Sequence, residues 1–152
     1  MTLKKTLSWT AVILWMILIF ILSHQPAMQS NQLSAGLTEV IINTIEKAIP
    51  TVEFDIRSFN YIVRKNAHFY AYLIMGILMM NAIKKCGVCG IRSIVITLLI
   101  CVLYAVSDEF HQLFVIGRDG RLKDVLIDSA GSVVGITMFL FYYSKIKREA
   151  TQ

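Results

Sequence analysis

Two adjacent carboxylates and an imidazole stand in the stretch SDEFHQ (residues 107–112), directly after the apolar run RSIVITLLICVLYAV. On a helix Asp108 shares a face with His111 and Gln112, three and four residues on, and Glu109 sits beside it. A second polar set, Arg64, Lys65 and His68, opens another apolar segment; Arg64 and His68 are four apart, and Tyr61, Lys65, His68 and Tyr72 form an overlapping stripe. In a third segment Asp124, Asp128, Gly131 and Gly135 step by four, three and four. That stripe presents two carboxylates and then a smooth surface for close helix packing.

These residue types support several chemistries. His68 or an aspartate can act as a general base, with Arg64 and Arg118 clamping a phosphate or carboxylate. The same groups can hold a charged headgroup without reacting, and buried carboxylates with a histidine can relay protons. Short spans without an internal repeat offer little alternating-access machinery, which weighs against a carrier. Asp108, Glu109, His111 and Asp128 offer oxygen and nitrogen ligands, but no HExxH-type spacing supports a metal, and none is assigned. Cys86 and Cys89 have CxxC spacing without the second pair that structural zinc needs. No nucleophile elbow or glycine-rich phosphate loop is present, and no cofactor is assigned. Tyr72 belongs to the polar stripe by position, but with Tyr104 its expected role is packing. Met75, Met79 and Met80 read as core or lipid-facing residues.

The chain around these groups is that of a membrane protein. Of 152 residues 56% are hydrophobic and only 16% charged, against about 25% charged in soluble domains; the mean hydropathy is +0.62. The net charge of +5 comes from basic residues scattered between apolar runs, which argues against nucleic acid. With no Pro/Gly/Ser-rich linker, residues 1–152 read as a single domain. Four segments are long enough to span a bilayer, at about 7–22, 59–83, 93–110 and 124–143. MTLKK resembles the basic start of a signal peptide, but the apolar run is long and no A-x-A-like site follows, so the first span reads as a retained anchor. Lys4, Lys5, Lys84, Lys85, Arg92, Lys145, Lys147 and Arg148 gather on one side, which predicts cytoplasmic termini. Residues 24–58 and 112–123 then face outward. In the first of these, Leu33, Leu37, Val40, Ile41, Ile45, Ala48 and Ile49 recur at helical spacing. The pattern predicts an amphipathic helix capped by Ser30 or Asn31 and closed by Pro50, covering the bundle or lying on the membrane surface. The expected fold is therefore all-α, with four transmembrane helices and this fifth helix.

Depth connects the three polar sets. His68 lies 16 residues before Lys84, Asp108 lies 16 after Arg92, and Asp128 lies 17 before Lys145. At about 1.5 Å per residue each is about 24–26 Å from its basic anchor, within a hydrocarbon layer about 30 Å thick. Ionisable groups at such depth normally face a bundle interior or a watery cavity. One polar pocket shared by three helices is expected. A purely structural alternative has equal weight at this point: Arg64, Lys65, Arg118, Arg121 and Lys123 stand against Asp108, Glu109, Asp119, Asp124 and Asp128. Such balance suits a self-satisfying salt-bridge network that fixes helix register. Asp119, Arg121 and Lys123 read as solvated loop charges.

In SHQPAMQS, RKNAHFYAY, SDEFHQLFVIGR and LKDVLIDSAGSVVG, taken in order, the sequence resembles the VanZ-like family of small bacterial membrane proteins, over most of the chain. The family is named for a protein associated with resistance to the glycopeptide antibiotic teicoplanin. The resemblance implies a multi-pass protein of the bacterial cell (inner) membrane. Its motif carries over onto Arg64, Lys65, His68, Tyr72, Asp108, Glu109, Gln112, Gly117, Arg118, Asp124, Asp128 and Gly131. His24, Ala71 and Ile116 depart from residues common in relatives (Ser, an acid and Pro). The Ala71 difference weakens any scheme that needs another carboxylate beside His68, and the Ile116 difference is expected to loosen the outer loop. Implied are the lipid bilayer as partner and a role in glycopeptide susceptibility, through a pocket for a lipid headgroup or cell-wall precursor. The alternative is a membrane-embedded hydrolase or transferase acting on a lipid-linked envelope intermediate.

Overall fold

A computed structural model describes residues 3–48 and 56–149. The fold is all-α, with five helices among the described residues: α1 (Leu3–Ser23), α2 (Ala27–Ala48), α3 (Ile56–Lys85), α4 (Ile91–Gln112) and α5 (Leu122–Glu149). Four of them contain stretches long and apolar enough to cross a membrane: Leu3–Ser23, Tyr61–Lys85, Ile91–Gln112 and Leu122–Ile146. Each helix runs a few residues past the apolar segment expected from sequence. The polar ends keep their helical hydrogen bonds although hydropathy no longer marks them. The turn between α3 and α4 is short and set by Gly87 (φ 91°) and Gly90 (φ 65°), whose left-handed backbones suit glycine.

α3 is the central element and touches each of the other four helices; its most extensive seam is with α5. Small residues allow that seam. A Cβ on Gly131 would overlap the Phe69 carbonyl, and one on Gly135 would overlap that of Leu73. From the other side, a Cβ on Gly76 would lie 2.6 Å from the Ser132 carbonyl oxygen. The backbones therefore approach as closely as glycine permits, as expected of the Gly131–Gly135 stripe.

The core between the helices holds Val12, Ile19, Tyr72, Met75, Met79 and Cys101. Met75, Met79 and Met80 are all buried, so the lipid-facing option left open for them does not apply. Among the hydrogen bonds that tie α1 to its neighbours, Trp15 Nε1 donates to the Ala71 carbonyl (2.9 Å) and the Tyr104 hydroxyl to that of Met16 (2.6 Å). Outward-facing apolar side chains, among them Leu14, Leu99, Leu103 and Phe141, coat the bundle exterior. That surface is stable only against hydrocarbon.

α2 corrects two expectations. It begins at Ala27, not after a Ser30 or Asn31 cap. The Pro26 carbonyl accepts from the Ser30 N–H (3.0 Å), and the Ala27 N–H is satisfied by the Ile116 carbonyl (3.2 Å). A backbone group from the outer loop thus replaces a capping side chain. The buried face comprises Ser34, Thr38 and Ile42, whereas Val40 and Ile41 are exposed. Among the described side chains of α2, Ser34 and Thr38 thus pack inward together with Ile42. The remaining stripe residues and Pro50 lie outside the described side chains.

Candidate functional site

Three helices deliver the site. α3 supplies Arg64, Lys65 and His68, α4 supplies Asp108, Glu109 and Gln112, and α5 supplies Asp124 and Asp128. His68, Asp108, Glu109 and Asp128 each place one nitrogen or oxygen within 4.8 Å of the others. The level expected from helix rise is thus a real convergence in space. Asp108, Glu109, Asp124 and Asp128 are buried, and Asp128 is wholly enclosed.

Each acid is held differently. Asp108 Oδ2 accepts from the Ser23 hydroxyl (2.8 Å) and from Gln112 Nε2 (3.3 Å). Glu109 accepts from Gln112 Nε2 at Oε1 (3.2 Å) and from the Arg121 backbone N–H at Oε2 (2.9 Å). Asp124 pairs with Lys65. Asp128 faces His68, with Nδ1 to Oδ1 at 3.7 Å, too long for a hydrogen bond. Asp108 Oδ1 and both Asp128 oxygens are buried with no hydrogen-bond partner among the described residues.

Arg118 forms the roof on the loop between α4 and α5. Its Nε donates to the Gln25 carbonyl (2.9 Å), Nη2 to that of Leu22 (3.2 Å), and Nη1 to Gln112 Oε1 (3.3 Å). Burial pulls its pKa below the ordinary guanidinium value and the Arg64 charge adds to this, while Asp108 and Glu109 oppose it. The guanidinium nonetheless remains charged at any physiological pH. Gly117 (φ 75°) turns the chain into this position.

The five-against-five charge balance is not realised as one network. Lys65 goes to Asp124, and Arg121 goes to Asp119 on the exposed loop (3.1 Å). The deeper acids face a single imidazole. The arrangement is layered: Arg64, Lys65, Arg118 and Arg121 line the outer cavity together with Asp119 and Asp124, while Asp108, Glu109 and Asp128 lie beyond its wall, behind His68.

Two cavities meet at this site. The first, about 370 Å³, is lined by Arg64, Lys65, Arg118, Arg121, Gln112 and His68, among others. The second, about 220 Å³, lies beside it between α1, α2 and α3 and is mainly apolar, with Ile19, Leu22, Val63, Ala67 and Ala71 in its wall. Arg64, His68 and Arg118 line both.

Some site residues are placed differently from the sequence reading. His111 leaves the carboxylates: its Nε2 lies 3.0 Å from Nδ1 of His24, with Phe20 against the ring (4.7 Å between centroids). Its proximity to Asp108 along the helix misled because adjacent positions on one broad face still point to different neighbours. Tyr72 is completely buried in the apolar core, 6.2 Å from the Tyr104 ring, and lines neither cavity. Ser23 and Arg121 were missed. Ser23 opens the stretch SHQPAMQS on which part of the family resemblance rests, and that was the signal that could have found it. Arg121 works through its backbone as well as its charge, and Gly120, where a Cβ would overlap the Glu109 carbonyl, is the available signal. Asp119 and Arg121, read as solvated, are exposed yet line the first cavity. Ile116 itself is exposed, but its carbonyl bond to Ala27 anchors the loop expected to be loose.

A family model described as VanZ/LLP1 matches residues 8–143. The chain belongs to the VanZ/LLP1 family. Comparison with curated proteins and with solved structures returned no match. In this VanZ/LLP1 protein the matched region runs from α1 into α5 and contains the buried acids and both cavities. With its four apolar helices it is a multi-pass membrane protein of VanZ-like type.

Proposed function

We propose that the protein binds the anionic headgroup of an amphiphile at the outer face of the bacterial cell (inner) membrane, and that its effect on glycopeptide susceptibility follows from that binding. The observation that carries this reading is the shared wall. A polar cavity lined by Arg64, Lys65, Arg118 and Arg121, with Asp124 against Lys65 and Asp119 against Arg121, abuts an apolar cavity, with Arg64, His68 and Arg118 common to both. A phosphate or carboxylate in the first suits guanidinium recognition; a hydrocarbon tail leaves by the second. Lipid headgroups and lipid-linked cell-wall precursors have this two-part chemistry. A hydrolase or transferase acting on the same molecules is supported by His68, which stands between the outer cavity and the buried carboxylates.

The cytoplasmic placement of both termini rests on the distribution of Lys and Arg. Impermeant maleimide applied to intact cells should label Asp119→Cys, since Asp119 is exposed on the loop before α5. It should leave Cys86 and Cys89 unlabelled, although both are exposed in the α3–α4 turn. Labelling of Cys89 from outside would invert the orientation.

Headgroup binding is testable with purified protein in detergent. A short-chain alkyl phosphate should bind more tightly than the alcohol of equal chain length and than inorganic phosphate. Arg64→Gln should weaken the alkyl phosphate at least about tenfold, the loss expected for one charge-assisted hydrogen bond. It should leave the alcohol unchanged. Equal affinities for phosphate and alcohol would remove the basis of the proposal.

A further inference from the structure

Beside the polar cavity, sharing only His68 with its wall, lies a cluster of buried acids. Asp108, Glu109 and Asp128 converge with His68 to within 4.8 Å, and the nearest basic groups are engaged elsewhere, Lys65 with Asp124 and Arg118 with Gln112 and two carbonyls. Three carboxylates facing one imidazole cannot neutralise one another, and a buried unpaired charge is strongly unfavourable.

We propose that His68, Asp108, Glu109 and Asp128 form the binding site of one divalent cation of the Mn²⁺ class. Asp128 carries the argument independently of the cluster itself. It has no exposed surface, and neither of its oxygens has a hydrogen-bond partner among the described residues. Asp108 repeats the pattern at Oδ1, while Ser23 and Gln112 hold its other oxygen. Glu109 is oriented by the Arg121 N–H and by Gln112. Of the three acids, Asp108 has one oxygen held and the other free, as outer hydrogen bonds leave a metal ligand, whereas both Glu109 oxygens already accept a hydrogen bond.

The spacing and donor set choose the ion. Oxygen or nitrogen ligands about 2.1 Å from an ion lie about 3 Å apart when adjacent and about 4.2 Å when opposite. A set within 4.8 Å is somewhat wider than that and contracts to close on such an ion. Carboxylates suit Mg²⁺, Ca²⁺ and Mn²⁺, whereas imidazole suits first-row transition ions, so three carboxylates with one imidazole favour Mn²⁺. His68 also lines the polar cavity, which provides an entry path and places the ion behind the cavity wall. There it would add positive charge facing an anionic headgroup.

The test uses full-length, untagged protein in detergent, with Mn²⁺ alone as the probe and no lipid present. Equilibrium dialysis and electron paramagnetic resonance should find one Mn²⁺ per chain. Asp128→Asn and Asp108→Asn should each weaken it by about 100-fold, the upper end of what losing an outer-shell group does. Glu39→Gln, on the exposed face of α2, should leave binding unchanged. Size-exclusion profiles identify a variant that has lost its fold, and Glu109→Gln then replaces it. Absence of stoichiometric binding to the native protein at about 1 mM Mn²⁺ overturns the site, as does binding that survives every carboxylate substitution. A stoichiometric site that prefers Ca²⁺ to Mn²⁺ overturns the class of ion. Because no lipid is present, either failure leaves the headgroup reading to be judged by the Arg64→Gln experiment.

Discussion

Gly135→Val should prevent normal accumulation of folded protein. The first side-chain atom at that position would overlap the Leu73 carbonyl oxygen and lie 2.9 Å from the Leu73 carbonyl carbon. Those are backbone atoms in the middle of α3, and no rotamer change can move them. α3 and α5 must then separate along their most extensive seam, and the Ser132 hydroxyl would lose its 3.3 Å bond to the Tyr72 carbonyl. The expected cost is about 3 kcal/mol, the upper end of overpacking effects, taken from a total of about 5–15 kcal/mol. The same substitution at Gly36, where a Cβ meets nothing within 4 Å, is the control for altered glycine content. Membrane abundance and SDS-titrated unfolding of the two variants decide the matter. If Gly135→Val unfolds at the same point as the native protein, the close seam is not what holds these helices.

Asp128→Asn should have opposite effects on stability and on activity. Were Asp128 a member of a structural ion pair, removing its charge would destabilise the protein by about 3–5 kcal/mol. The carboxylate is enclosed, has no hydrogen-bond partner among the described residues, and meets His68 Nδ1 only at 3.7 Å, beyond hydrogen-bond reach. An amide of the same shape removes an uncompensated buried charge. In chelator-treated protein, stability should therefore stay equal or rise by up to about 2 kcal/mol, the gain typical of relieving a functional compromise. Any glycopeptide phenotype should vanish nonetheless. Lys65→Gln breaks the pair with Asp124 and is the contrasting case, expected to lower stability. Phenotype and membrane abundance must be measured together on both variants. A phenotype that follows abundance across the series would make these charges structural and end the functional reading.

The membrane class, the helices and the depth of the polar groups were all legible in the amino-acid sequence. Those properties depend on local quantities: the length of an apolar run, the 1.5 Å rise per residue, and the cost of ionisable groups in hydrocarbon. The Gly131–Gly135 stripe likewise predicted a close seam because a missing side chain has the same consequence wherever a partner helix meets it. Which charge met which partner was not legible. Lys65 and His68 are neighbours in sequence, yet one pairs with Asp124 on the cavity wall and the other faces Asp128 behind it. A count of five against five could not separate these layers. His111 and Asp108 share a broad helix face, but the packing of α1 against α4 sends one to His24 and the other to Ser23. In each case the partner depended on how one helix packs against another, which no local pattern in the polar residues contains; between α3 and α5 that packing is set by the close backbone contacts at Gly76, Gly131 and Gly135.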